Sequence, residues 1–292
     1  MRIVSLLPAL SDWVIFLGHE ADLVGVSHEC DWRTEELHLP RLTRSRIDPS
    51  RASAEIHAQV AAAEDALFEL DEARLAELKP DLILTQAQCD VCAVNERTVR
   101  RVAAGLPGPP RVLSVNPTTL ADVFAMAADL SAILGESAES RRLAWRREFQ
   151  ATCEDFRALP AERPRVALLE WLDPPFSSGH WNPELIELAG GREVLGRAGS
   201  RSRALGWGEV VAAQPEVVIV APCGQDLERA EADLAGLADH PDWAKLSQSA
   251  RRVVAVDGNS YFARPGPRLL ESLKIAGAAI FGATRAAEHE GV

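Results

Sequence analysis

No stretch of the chain reaches the ~18 consecutive apolar residues of a membrane-crossing helix, so a membrane span is not expected. The first residues, Met1-Arg2-Ile3-Val4-Ser5-Leu6-Leu7-Pro8, run straight into a strand-like segment, with no long apolar region and no small-residue cleavage site. Positive charge is in deficit: 31 Lys and Arg stand against 43 Asp and Glu, for a net charge of -12. That balance argues against nucleic acid as a main partner, because phosphate binding needs a basic face. The phosphate-cradling G-x-x-x-x-G-K-[ST] and a strand-linked G-x-G-x-x-G are both missing. So are the hydrolase motifs G-x-S-x-G and H-E-x-x-H, and nothing points to a nucleotide or a hydrolase. Cysteine is scarce and odd in number, with five residues, which fits poorly with a disulfide framework.

What is present is an ordinary globular composition, 47% hydrophobic and 25% charged over 292 residues. At ~150 residues per domain that length suggests two domains, and such a chain buries enough surface to need no disulfides. With Met1 as the native start, the expected location is cytoplasmic and the cysteines are reduced thiols. With a signal peptide trimmed away, it is periplasmic or extracellular.

Strand and helix signals alternate. Strands are expected at residues 3–7, 23–27, 81–86 and 111–115, with helices at 11–17, 55–67, 72–78 and 95–104. This βαβ order predicts a parallel sheet covered on both faces. From 118 to about 159 the strand signal vanishes. Apolar residues recur at helical spacing from Leu120 through Phe156, with Gly135 as a weak point, and read as one long helix or two nearly continuous ones. The α/β order then resumes, with strands at 165–171, 216–221 and 252–256 and helices at 183–189, 207–213, 226–238 and 267–281. The expected organisation is an N-terminal α/β lobe (1–117), a bridging helix (118–160) and a C-terminal α/β lobe (161–292).

Ligands of parallel sheets sit beyond the carboxyl ends of the strands. In the first half those ends lead into Pro8, into Ser27-His28-Glu29-Cys30-Asp31-Trp32 and into Gln86-Ala87-Gln88-Cys89-Asp90-Val91-Cys92. In the second half they lead into Glu170-Trp171-Leu172-Asp173-Pro174-Pro175-Phe176, Pro222-Cys223-Gly224 and Asp257-Gly258-Asn259-Ser260-Tyr261-Phe262. His180-Trp181 lies close behind. The candidate ligand-binding set is therefore Pro8, His28, Glu29, Cys30, Trp32, Gln88, Cys89, Trp171, Asp173, His180, Trp181, Cys223 and Tyr261. Tryptophans 32, 171, 181 and 207 are candidate flat walls for a large planar ligand, while Trp13, Trp145 and Trp243 are assigned to the core. Cys30, Cys89, Cys92 and Cys223 form a candidate metal set, because C-x-x-C spacing lets two thiolates share one ion. Cys153 is assigned to the core. Arg264 reads as a surface arginine.

Two α/β lobes around a long helix, opened by Ser5-Leu6-Leu7-Pro8-Ala9, form a recognisable arrangement. With Leu23-Val24-Gly25-Val26-Ser27, Leu78-Lys79-Pro80-Asp81-Leu82-Ile83-Leu84 and Asn182-Pro183-Glu184-Leu185-Ile186-Glu187-Leu188-Ala189-Gly190-Gly191, the chain resembles the helical-backbone periplasmic binding proteins of ABC importers, a group that serves cobalamin, ferric siderophores and haem. It looks most like the cobalamin-binding branch. The resemblance implies a non-enzymatic binder with cobalamin or another corrinoid or metal chelate held in a cleft between the lobes, and docking on an ABC permease through surface acidic residues. The strand-end cysteines support a second reading, a cytoplasmic metalloprotein holding zinc or an iron–sulfur cluster.

Overall fold

The computed structural model describes residues 1–33, 37–48, 51–62, 67–87, 94–158 and 163–282. The chain divides into two compact units, Met1–Pro117 with Asp122–Ala144, and Thr118–Ala121 with Trp145–Val292.

In the first unit, strand β1 (Ile3–Ser5) leads at once into helix α1 (Pro8–Phe16). The helix starts three residues earlier than the polar residues at 11 and 12 suggest. Pro8 sits in the first turn, where its missing N–H costs nothing, and Leu7 stands at the N-cap. Strands β2 (Leu23–Val26) and β3 (Thr43–Ser45) follow, then helix α2 (Ser53–Ala62), strand β4 (Phe68–Leu70) and helix α3 (Glu72–Leu78). Asp71 caps α3 by accepting from Arg74 N–H. Strand β5 (Leu82–Gln86), helix α4 (Glu96–Gly105, capped by Asn95) and strand β6 (Arg111–Val115) complete the α/β part. The main sheet runs β2-β1-β5-β6, all parallel. Its strands read as unbroken apolar runs because helices cover both faces, and every residue of β5 is buried. Successive crossovers leave β1 in opposite directions, toward β2 and toward β5. The crevice for a ligand thus opens at the carboxyl ends of β1 and β5. Strands β3 and β4 pair antiparallel as a separate ribbon.

Helices α5 (Leu120–Leu134) and α6 (Glu136–Arg157) occupy the strand-free stretch. Gly135, at φ +106°, separates them. Residues of α6 up to Ala144 pack with the first unit and those from Trp145 with the second.

The second unit holds strand β7 (Arg165–Leu172), strand β8 (Pro175–Ser177), helix α7 (Asn182–Leu188), strand β9 (Arg192–Glu193), helix α8 (Trp207–Ala212) and strand β10 (Val217–Val220). Helices α9 (Leu227–Ala235) and α10 (Pro241–Ser249), strand β11 (Arg252–Ala255) and helix α11 (Leu269–Phe281) follow. The sheet runs β11-β10-β7-β8, and β9 pairs with the start of β7. Strands β10 and β9 flank β7 on opposite edges, so the switch point of this unit lies at β7, whose carboxyl end carries Glu170. Trp145, in α6, is 4% exposed and donates its Nε1–H to Pro267 O at 2.8 Å, which ties the helix to the turn before α11. Trp13, Trp243 and Cys153 are buried, as expected of core residues.

Candidate functional site

Each unit is described separately, beginning with the first. Ser27 follows β2 and is anchored by its N–H to Ser5 O at 2.9 Å. Its hydroxyl oxygen accepts from Glu29 N–H at 3.3 Å and from the Thr43 hydroxyl at 3.1 Å. The oxygen of Thr43 in turn accepts from His28 N–H at 3.0 Å and lies 2.7 Å from His28 Nδ1. That short contact engages Nδ1, whose role as donor or acceptor follows the tautomer. Burial pushes the His28 pKa down, and the Arg41 charge pushes the same way. The imidazole is thus uncharged near neutral pH. Arg41 fastens the loop from outside by donating to Ser27 O at 3.1 Å and to Cys30 O. Cys30 is 1% exposed, with Sγ 2.9 Å from Ser11 Oγ on α1. Glu29 Oε1 stands 4.0 Å from His28 Nε2, and Trp32 is half-buried beyond it. Pro8 is buried in the first turn of α1. Gln88, Cys89 and Cys92 lie outside the described residues.

In the second unit the organising group is Glu170, one of the two charged side chains among the eight residues of β7. Its Oε1 accepts from Gly179 N–H at 2.9 Å and from Asn182 Nδ2–H at 2.8 Å. Its Oε2 accepts from the Ser202 hydroxyl. Burial pushes its pKa up, against the pull of those hydrogen bonds. Between Gly179 and Asn182 lies His180, in the left-handed region at φ +53°. His180 is half-buried, and burial first, then the Arg201 charge, lowers its pKa. The next side chain, Trp181, is 4% exposed, with its ring centroid 5.7 Å from that of His180. Trp181 Nε1 and Asn182 Oδ1 are buried and have no hydrogen-bond partner among the described residues. Trp171 is half-buried and donates its Nε1–H to Asp173 O at 3.2 Å; Asp173 itself is exposed. Cys223 is exposed, and its N–H reaches Glu170 O at 3.0 Å. Tyr261 is half-buried in the wide turn Gly258–Phe262, with the Arg268 guanidinium 5.7 Å from its ring.

Strand-end loops thus carry the described candidates in each unit, but with different exposure. Trp181 and Trp207 are packed inside; Trp207 stacks edge-on against Trp243 at 5.6 Å. Arg264 is not a surface residue. It is 6% exposed and donates to Asn259 Oδ1 at 3.1 Å, because the Pro-Gly-Pro turn after it folds the chain back over it. Among the described residues no three His, Cys, Asp or Glu side chains converge as metal ligands do. Sequence reasoning did not make Thr43, Asn182 or Ser202 site residues, and named Glu170 only as part of a strand end. Only Glu170 left a signal, a carboxylate inside an apolar strand.

The family model described as "Periplasmic binding protein" matches residues 3–258. None of the curated proteins compared with it matches the chain. Among solved structures, the periplasmic vitamin B12 binding protein BtuF of Vibrio cholerae is similar at 18% identity and a TM-score of 0.69, over 96% of each chain. A periplasmic heme binding protein from Pseudomonas aeruginosa is similar at 19% identity and a TM-score of 0.69, over 97% of this chain and 93% of that one. The periplasmic heme-binding protein RhuT from Roseiflexus sp. RS-1 reaches 22% identity and a TM-score of 0.66, over 96% and 97%. At these identities the likeness is one of fold.

Proposed function

Because the chain belongs to the periplasmic binding protein family, we propose that it binds a corrinoid- or heme-type metal chelate at its strand-end loops. It is a binding protein and not an enzyme. The observation that carries the ligand class is the state of His28. Its Nδ1 is held 2.7 Å from the Thr43 hydroxyl oxygen and burial keeps the ring uncharged, the form of imidazole that ligates a chelated metal. His180 supplies a second uncharged imidazole in the other unit, beside two buried polar atoms without partners among the described residues. Half-buried Trp32 and Trp171 offer aromatic faces to a planar macrocycle. Glu29, Asp173, Cys223 and Tyr261 supply polar edges. The structures that share the fold include proteins described as binding vitamin B12 and heme, which agrees with this ligand class.

Titrating the protein with hemin, cyanocobalamin and dicyanocobinamide, read by visible absorbance, tests the reading. A saturable spectral shift with at least one of them, weakened in H28A, is expected. No shift with any of the three at micromolar ligand overturns it. Delivery to an ABC permease belongs to the same reading and places the protein in the periplasm or outside the cell; fractionating cells that produce it tests this. No helix among the described residues is long and apolar enough to cross a membrane. The zinc or iron–sulfur alternative has no comparable support among the described residues.

A further inference from the structure

The carboxylate of Glu170 is turned over to the protein. One oxygen holds Gly179 N–H and the Asn182 amide, and the other holds the Ser202 hydroxyl. The second amide hydrogen of Asn182 goes to Phe262 O at 3.2 Å. The main-chain oxygen of Glu170 takes Cys223 N–H at 3.0 Å. Glu170 therefore ties together the segments around 179–182, 202 and 223, and Asn182 extends the frame to Phe262. The first two are also sewn to each other by His180 N–H to Ser200 O at 2.7 Å and Gly199 N–H to His180 O at 3.0 Å. They approach so closely that a Cβ on Gly179 would stand 2.4 Å from Ser202 N. Such a frame is what a residue with a β-carbon needs to stay in the left-handed region, and His180 is the one residue between Gly179 and Trp181.

We propose that Glu170 is a positioning residue that holds His180 in its strained, ligand-ready conformation, and that it does so by hydrogen-bond geometry rather than by charge. The reasoning about charge comes from the partners. Oε1 only accepts, from two donors. The Oε2 and Ser202 pair is a bond between two oxygens that share one proton, and it survives with that proton on either of them. A protonated carboxyl, or an amide, satisfies the same three groups. All three are uncharged, and burial favours the neutral acid. The proposal rests on His180 meeting the ligand, as read above.

The test uses the full chain in two arms. In ligand-free protein, the His180 imidazole signal is assigned by NMR with H180A as reference. E170Q is expected to leave the His180 shift and titration midpoint at their wild-type values, whereas E170A moves both and raises the midpoint. An unmoved signal in E170A, or an equal displacement in E170Q, overturns the proposal. In the second arm hemin and cyanocobalamin are titrated in parallel. E170A is expected to weaken binding ~10-fold or more, but less than about twofold when H180A is already present. Equal losses in both backgrounds overturn it. If neither probe binds wild-type protein, the ligand reading fails and the NMR arm alone decides the role of Glu170. If E170A does not fold, S202A takes its place and moves the His180 signal by a smaller amount; an unmoved signal again overturns the proposal.

Discussion

Burial keeps His28 and His180 uncharged, and each feels an added push from a nearby guanidinium, Arg41 and Arg201 respectively. Their folded pKa values lie below the ordinary value of about 6.5. Below that value the unfolded chain takes up protons that the folded chain refuses, so these two residues lower stability as the pH falls through and below about 6.5. Glu170 and Glu193 act in the opposite sense. Burial raises their pKa, so their contribution is full below the ordinary carboxylate range and is lost as the pH rises through the folded midpoints. The histidine part is separable: the double variant H28A/H180A should show a shallower fall in melting temperature than wild type between about pH 7 and pH 5.5. Thr43 is 8% exposed and partners both the N–H and the ring of His28. T43V keeps the shape and strands those groups, and should cost about 1–3 kcal/mol in urea unfolding.

The strand-free segment is broken at a single residue. Gly135 takes φ +106°, and a Cβ there would meet nothing within 4 Å. The cost of G135A is therefore backbone strain alone, expected at about 1–2 kcal/mol by denaturant unfolding. Across the break Glu139 acts as a clasp. It accepts from Ser131 on α5 at 2.6 Å and from Arg142 on α6 at 2.8 and 2.5 Å. The Arg142 and Ser131 bonds hold its pKa down to about 2. Its contribution is present above the ordinary carboxylate value and is lost as the pH falls toward about 2. The side chain is 40% exposed, so solvent screens the effect. Acid unfolding of E139Q followed by circular dichroism should show a small loss of stability at neutral pH that vanishes at the acid end.

A binder that recognises its ligand only when folded is stabilised by that ligand through mass action. Hemin or cyanocobalamin, whichever gives a spectral shift, should raise the melting temperature with concentration, by an equivalent of about 2.7 kcal/mol at a hundredfold excess over Kd. A shift in absorbance without any thermal shift would mark adsorption to the surface rather than occupancy of a site.

The sequence alone carried the βαβ order, the all-buried strands β5 and β10 and the helical stretch in between, since burial on both faces and a 3.6-residue period are written in local apolar spacing. Carboxyl ends of parallel strands were legible for the same reason, and with them His28, Cys30, Trp171 and Cys223. Strands β3, β4, β8 and β9 span two or three residues, too short for any alternation to show. Helix α10 was missed: the helix read at 226–238 covers α9 and stops before Pro241, where α10 begins. Tertiary structure decided the rest, because the exposure and protonation of a side chain depend on groups distant in the chain. Thr43 holds the ring of His28 from fifteen residues away. Packing turned Trp181 and Arg264 inward. Ser202, thirty-two residues from Glu170, makes a lone carboxylate in an apolar strand the anchor of a loop.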